Sequence, residues 1–251
     1  MENQKPASKP NVVSYRLARE TWMRESNQHR ELCLTCLQPT FGCYCAHVSP
    51  FDPKIQFVIL IHPIEARRRI ATGRMSHLCL ENSELIQGQD FTNDARVNAL
   101  LSDPLASCRV LYPGLNSQDI SLPRPAGGSF FQTGLRPVVF VIDGTWATAR
   151  KTMYQSANLK KLPRLSFSAD RLSQFRVRKQ PQPGCFSTIE AIHFALEHLG
   201  PEVGFPATSR EHDKLLYVFD KMVSRQLEFV RQAQLNPELT NYRRPKTRFL
   251  Y

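Results

Sequence analysis

No stretch of this chain approaches the unbroken apolar length that a bilayer crossing needs, and the opening "MENQKPASKP" has no apolar core of the kind a secretion signal carries. The expectation is a soluble, cytoplasmic protein with no membrane partner. Internal repeats are missing as well, which argues against an array of small units. Neither GxGxxG nor GxxxxGK[ST] occurs, so a Rossmann dinucleotide site and a P-loop are not indicated. Negative charge is the other shortage. Asp and Glu number 22 against 33 Lys and Arg, a balance of +11 with a pI near 9.6. Such a balance suits a polyanion, because each phosphate neutralised by Lys or Arg releases condensed counterions. The basic residues gather in "EARRRIATGR" (65–74), "FRVRKQP" (175–181) and "NYRRPKTRFLY" (241–251). Any one run can be a solvated face; three in so basic a chain point toward nucleic acid.

With 41% hydrophobic and 22% charged residues the composition is that of a folded protein, and 251 residues suffice for one sizeable core plus a small module. The module has a visible candidate. Cys33, Cys36, Cys43 and Cys45 stand in a C-x2-C-x6-C-x-C arrangement, with Pro39 and Gly42 to bend the loop between the two pairs. In a cytoplasmic protein two close pairs of thiols read as a Zn²⁺ site rather than as disulfides. All four positions are Cys, so no coordination site stays open and the metal is expected to be structural. Four thiolates with Zn²⁺ remove only two charges, and the chain stays strongly basic.

Beyond the cysteines the pattern alternates between strand and helix. Strands are expected at 55–63, 108–114, 138–143 and 162–167, and helices at 72–82, 186–200 and 210–234. Residues 1–10 read as disordered, 14–33 as a basic helix, and 115–137 as a Pro/Gly-rich connection of no clear structure. A mainly parallel α/β sheet with helices on both faces follows. "VVFVID" (138–143) is its clearest strand, with five apolar residues in a row before Asp143. Carboxyl ends of strands are where open α/β sheets bind ligands, so Asp143 is a functional candidate by position. Equally, Asp-Gly-Thr at a strand-to-helix turn can simply cap the helix.

Further groupings fall at the other element ends: His62-Pro63-x-Glu65, Thr72-Gly73, Tyr112-Pro113-Gly114 and Ser187-Thr188-x-Glu190-Ala191. In this order, with the cysteines and with Asp143-Gly144-Thr145-Trp146, they resemble the DTW-domain family, named for an Asp-x-Thr-Trp motif. The resemblance runs over roughly residues 30–235. It implies a SPOUT-like α/β domain with a C-terminal trefoil knot. The implied activity is transfer of the 3-amino-3-carboxypropyl group of S-adenosylmethionine to N3 of a tRNA uridine, with release of methylthioadenosine. The uridine would lie in the variable loop, the D-loop being the other possibility. On that basis the chain divides into a tail and basic helix (1–30), a zinc knuckle (31–50), the catalytic domain (51–235) and a basic tail (236–251).

The resemblance also distributes roles. Asp143, Thr145 and Trp146 form the expected catalytic set, with Asp143 as acceptor of the N3 proton. Trp146 either stacks on a base or belongs to the core. Thr72, Gly73, Tyr112, Pro113, Gly114, Phe186, Ser187, Thr188 and Glu190 are expected around S-adenosylmethionine. Ser187 and Thr188 would serve its carboxylate and Glu190 its ammonium, unless Ser187 and Glu190 are a capping box. Arg67, Arg68, Arg74, Arg176, Arg178 and Lys179 are assigned to tRNA phosphates. His62 and Glu65 fit either the site or a buried hydrogen bond and an arginine pair, and His193 reads as core. A SPOUT-type RNA methyltransferase and a non-catalytic zinc-ribbon RNA-binding protein are the competing functions; the latter leaves the cluster at the strand ends unexplained.

Overall fold

The five apolar residues at 138–142 do form a strand covered on both faces. In the computed structural model, which describes residues 31–123, 128–168, 171–178 and 184–235, β5 (Arg136–Asp143) pairs in parallel with β1 (Gln56–Ile61) on one side and β3 (Ala106–Leu111) on the other. β2 (Ser83–Gln87) lies outside β1, and β6 (Arg164–Ser166) and β4 (Gln118–Asp119) continue beyond β3. The sheet has six strands in the order β2-β1-β5-β3-β6-β4, every neighbouring pair parallel. All four expected strands are present. The two that were not expected, β2 and β4, are the edges. β2 buries only one of its five residues and β4 has two residues, so neither shows an apolar run.

Helices cover both faces. Alternate residues Val58 and Leu60 of β1, Val138 and Phe140 of β5 and Val110 of β3 pack with Val97 of α3 (Ala95–Ser102), Met153 of α4 (Trp146–Gln155) and Leu159 of α5 (Ala157–Lys160). The intervening residues Phe57, Ile59, Val139 and Val141 are equally buried and face the opposite way, as a two-residue period requires. On that side α2 (Thr72–Cys79), α6 (Thr188–Leu199) and α7 (Asp213–Leu235) pack on one another. A single turn of helix, α1 (Pro63–Ala66), follows β1. α2 stops at Cys79, short of the expected 82, because Leu80 is extended and forms a parallel bridge with Phe51. α7 begins at Asp213 rather than 210, after Arg210 turns the chain at φ 59°.

Two compact units divide at Cys43, the first described from residue 31 to 43, and the sheet lies wholly in the second. In the first, residues 31–33 are not helical, since Leu32 forms an antiparallel bridge with Pro39. The rest of the helix expected at 14–33 and the tail 236–251 lie outside the described residues, as does Lys179. No helix among the described residues is long and apolar enough to cross a membrane.

Candidate active site

β5 ends between β1 and β3, and the strand order brings the carboxyl ends of β3, β5 and β6 to one place. A cavity of about 620 Å³ opens there, walled by Tyr112 and Pro113 after β3, residues 141–147 at the end of β5, Phe167 after β6, and the start of α6. Of the expected site residues, Thr72, Tyr112, Pro113, Asp143, Thr145, Trp146, Arg178, Phe186, Ser187 and Thr188 line it. Ser173, Phe175, Cys185 and Arg150 line it too. Of these, Cys185 stands in the grouping 184–191 that the sequence places at a helix start, whereas Ser173, Phe175 and Arg150 carry no signal that marks them for the site. Phe167, which lines the cavity as well, stands at the end of the strand expected at 162–167.

Asp143 is 4% exposed. Its Oδ1 accepts a 2.5 Å hydrogen bond from the Thr188 hydroxyl, while Oδ2 is buried with no hydrogen-bond partner among the described residues. Burial pushes its pKa up to about 6; the Thr188 bond pulls it back, nearby Glu65 raises it, and Arg178 and the Gly73 amide lower it. Gly73 explains how the carboxylate sits so close to α2, because a Cβ at that position would lie 2.5 Å from Oδ2. Capping is not the role of Asp143. Thr145 is the N-cap of α4, its hydroxyl accepting from the Thr148 amide at 3.2 Å. Thr145 is thus fixed by a local hydrogen bond and reaches the cavity wall at the same time. Trp146 is not core: at 44% exposure it stands on the first turn of α4 at the cavity's edge.

Glu190 does not line the cavity. Its carboxylate is buried and accepts from the Ser187 amide (2.8 Å), the Ser187 hydroxyl (2.6 Å), the Ser173 hydroxyl (2.7 Å) and the Gln174 amide (2.6 Å). Four donors saturate it, so the expected contact with a ligand ammonium gives way to its half of a capping box, which sets Ser187 at the start of α6. Gly114 also sits off the cavity wall, pressed against Arg164, whose Nη1 would be 2.6 Å from an added Cβ.

His62 is buried and its Nδ1 accepts from the Ile64 amide at 3.2 Å, capping α1. Glu65, also buried, pairs with Arg68 at 2.9 Å and with Arg178 at 3.5 Å. Arg74 donates to the Ala66 carbonyl at 3.0 Å. Three of the arginines assigned to phosphate, Arg68, Arg74 and Arg178, are therefore engaged with groups of the protein, although Arg68 is exposed, as are Arg67 and Arg176. His193 is fully buried but not apolar in its contacts, since its Nε2 lies 2.8 Å from Asp213 Oδ1.

The Sγ atoms of the four clustered cysteines lie within 4.8 Å of one another. Cys36 and Cys43 are 3.7 Å apart at sulfur. A tetrahedron with metal–sulfur bonds of about 2.3 Å has edges of roughly 3.8 Å, so the donor set and spacing are compatible with one thiolate-bound metal ion. Cys33 is held well below its usual thiol range, at about 6, first by the Cys36 and Thr35 amides and then by the Cys43 thiol.

The DTW domain family model matches residues 30–227. Among curated proteins, the chain is 30% identical over 169 residues to tRNA-uridine aminocarboxypropyltransferase 2 of Drosophila melanogaster, covering 64% of this chain and 63% of the fly protein. It is 26% identical over 182 residues to tRNA-uridine aminocarboxypropyltransferase 2 of Mus musculus, covering 70% and 58%. It is 24% identical over 257 residues to tRNA-uridine aminocarboxypropyltransferase A of Arabidopsis thaliana, covering 88% and 90%. The chain thus spans about three fifths of the fly and mouse relatives. No solved structure matches it significantly.

Proposed function

Because the chain belongs to the DTW-domain family, we propose that it transfers the 3-amino-3-carboxypropyl group of S-adenosylmethionine to N3 of a uridine in the variable loop of a tRNA, releasing methylthioadenosine. The observation that carries this reading is the buried, half-satisfied carboxylate of Asp143 at the floor of a cavity made by three strand ends. The named relatives supply the substrate and the transferred group; the cavity's chemistry agrees with both. Its volume falls within the few hundred to about 1,000 Å³ usual for small-molecule sites. Tyr112, Trp146, Phe167 and Phe186 offer aromatic surface for an adenine, and the start of α6 at Ser187 and Thr188 brings helix-terminal amides to a carboxylate, the two hydroxyls being committed to Glu190 and Asp143.

S-adenosylmethionine supplies, when bound, a sulfonium whose attached carbons are open to attack. The protein's part is to choose the carbon by orientation and to make N3 a nucleophile. Asp143 takes the N3 proton, while Thr188 holds its Oδ1. With a pKa near 6 the carboxylate is ionised at neutral pH and more basic than an exposed aspartate. Thr145 and Trp146 complete the catalytic wall. Thr72, Tyr112, Pro113, Phe186, Ser187 and Thr188 contact the co-substrate, with Gly73, Gly114 and Glu190 setting the backbone behind them. Cys33, Cys36, Cys43 and Cys45 hold a structural Zn²⁺. The trefoil knot, the cytoplasmic location and the division into knuckle and catalytic domain belong to the same proposal.

Label transfer tests it. With tRNA as acceptor, label in the carboxyl carbon of S-adenosylmethionine is expected to enter the RNA, label in the methyl group is not, and methylthioadenosine accumulates. Release of S-adenosylhomocysteine with methyl-labelled RNA would make the protein a methyltransferase and overturn the proposal.

A further inference from the structure

We propose that the outer face of α4, from Trp146 through Arg150 to Tyr154, together with Lys160 at the end of α5, is a stacking and phosphate-binding track that carries the tRNA strand into the cavity. This rests on the tRNA-directed reading above. Trp146, Arg150 and Tyr154 are spaced four residues apart, which places them in one row on a helix. Ala149, Thr152 and Met153 are buried on the adjoining face, whereas Trp146, Arg150 and Tyr154 are all exposed, Tyr154 at 77%, so the row faces outward. Trp146 and Arg150 also line the cavity, which makes the row continuous with the site. At 1.5 Å per residue it runs about 12 Å outward from there.

Charge identifies the partner. From Gly144 to Ser168 the sequence contains five lysines and arginines and no Asp or Glu. Lys160 extends the row, its ammonium 5.3 Å from the centre of the Tyr154 ring, close enough for a cation–π contact. An acidic neighbour, Asp90, lies near enough to Lys160 to feel its charge. Exposed aromatic rings alternating with cations beside a cavity are what an unpaired polynucleotide strand recognises: rings for base faces, cations for the phosphates between them. The arginines of 65–74 are a poorer track, since Arg68 and Arg74 are engaged with Glu65 and the Ala66 carbonyl.

The test is binding of an unmodified tRNA transcript by fluorescence anisotropy over a range of salt, using the full chain and the double variant Tyr154→Ala, Lys160→Ser. Both side chains are exposed and lie outside the cavity wall, so folding and S-adenosylmethionine binding, followed by calorimetry, are expected to stay as in the wild type. Loss of one stacked base is expected to weaken tRNA binding by at least about fivefold. Loss of one phosphate contact lowers the slope of log affinity against log salt by roughly 0.7–0.9. Arg67→Ser is the control, with a smaller effect expected. A double variant that binds tRNA as tightly as the wild type, with the same salt slope, would overturn the proposal. So would a variant that keeps tRNA affinity but changes the protein's mass in light scattering, since the face would then be a protein contact. Failure of the wild-type protein to bind tRNA is a separate result, and it would sink the functional reading itself.

Discussion

Asp143 carries an energetic cost that a capping residue would not. Its carboxylate is buried, one oxygen lacks a hydrogen-bond partner among the described residues, and the pKa of about 6 is raised by that burial. A carboxyl raised in the folded state stabilises the fold only when protonated. Its contribution is full below the unfolded pKa near 4 and is lost as pH rises through about 6. Asp143→Asn removes that loss, so the variant is expected to gain stability over wild type between about pH 4 and 6 and to hold the gain above. The gain is on the order of 2–3 kcal/mol at most, less whatever the amide forfeits in hydrogen bonding. Turnover should move oppositely, falling by roughly 10²–10⁴-fold. Single-turnover rates of the wild type should rise with pH to a plateau above about 6, and the Asn variant should lack that limb. Near-wild-type turnover in Asn would remove Asp143 as the base. The position of Asp143 at a strand end was readable from five apolar residues and a turn. That Thr145 is the cap was not, because Asp, Gly and Thr all tolerate that role and only the hydrogen bond to the Thr148 amide distinguishes them.

Elements meet at the site by close approach, and Gly73 shows the tolerance. In a free helix Ala is better than Gly by about 1 kcal/mol. Here the added Cβ would stand 2.5 Å from Asp143 Oδ2, well inside contact distance, so α2 or β5 must shift. Overpacking of this kind costs about 1–3 kcal/mol and outweighs the propensity. Gly73→Ala is therefore expected to lower the melting temperature and to reduce turnover through the displaced carboxylate, both measurable on one preparation; an unchanged or raised melting temperature with full turnover would contradict the packing. The central elements were legible in the sequence because burial on both faces leaves an unbroken apolar run, as in β1 and β5. β2, β4 and α3 were not. An edge strand such as Ser83–Gln87 keeps one side and one row of backbone groups toward solvent, so its residues need not be apolar. Glu190 was ambiguous for another reason: a capping box and an ammonium site ask for the same residue at the same spacing, and only the Ser173 and Gln174 donors show the carboxylate to be full.

Over the whole molecule, the thiolate cluster and the charge act beyond any one element. Purified protein is expected to hold about one Zn²⁺ per chain by elemental analysis. Cys36→Ser, or a strong chelator, should lower thermal stability before it alters the chemistry at Asp143, because a closed four-thiolate site contributes folding free energy. Zinc-free protein of full stability and activity would remove the metal. The cysteine cluster was legible because its four thiols fall within thirteen residues, so chain connectivity alone brings them together. The same holds for the basic balance, which is a sum, and for the parallel α/β class, which follows from local periodicity. Other properties depend on strand order. Placing β5 between β1 and β3 is what brings Asp143 to Thr188, 45 residues later, and Glu65 to Arg178, 113 residues later. It is also what leaves Trp146 at the mouth of a cavity rather than in the core. Sequence by itself determined which residues prefer to be buried, which could bind metal and which family pattern they follow, because those preferences are local. Tertiary structure alone decided which carboxylate is left half-satisfied and which arginines are already engaged, because desolvation and ion pairing depend on neighbours that the chain supplies from far away.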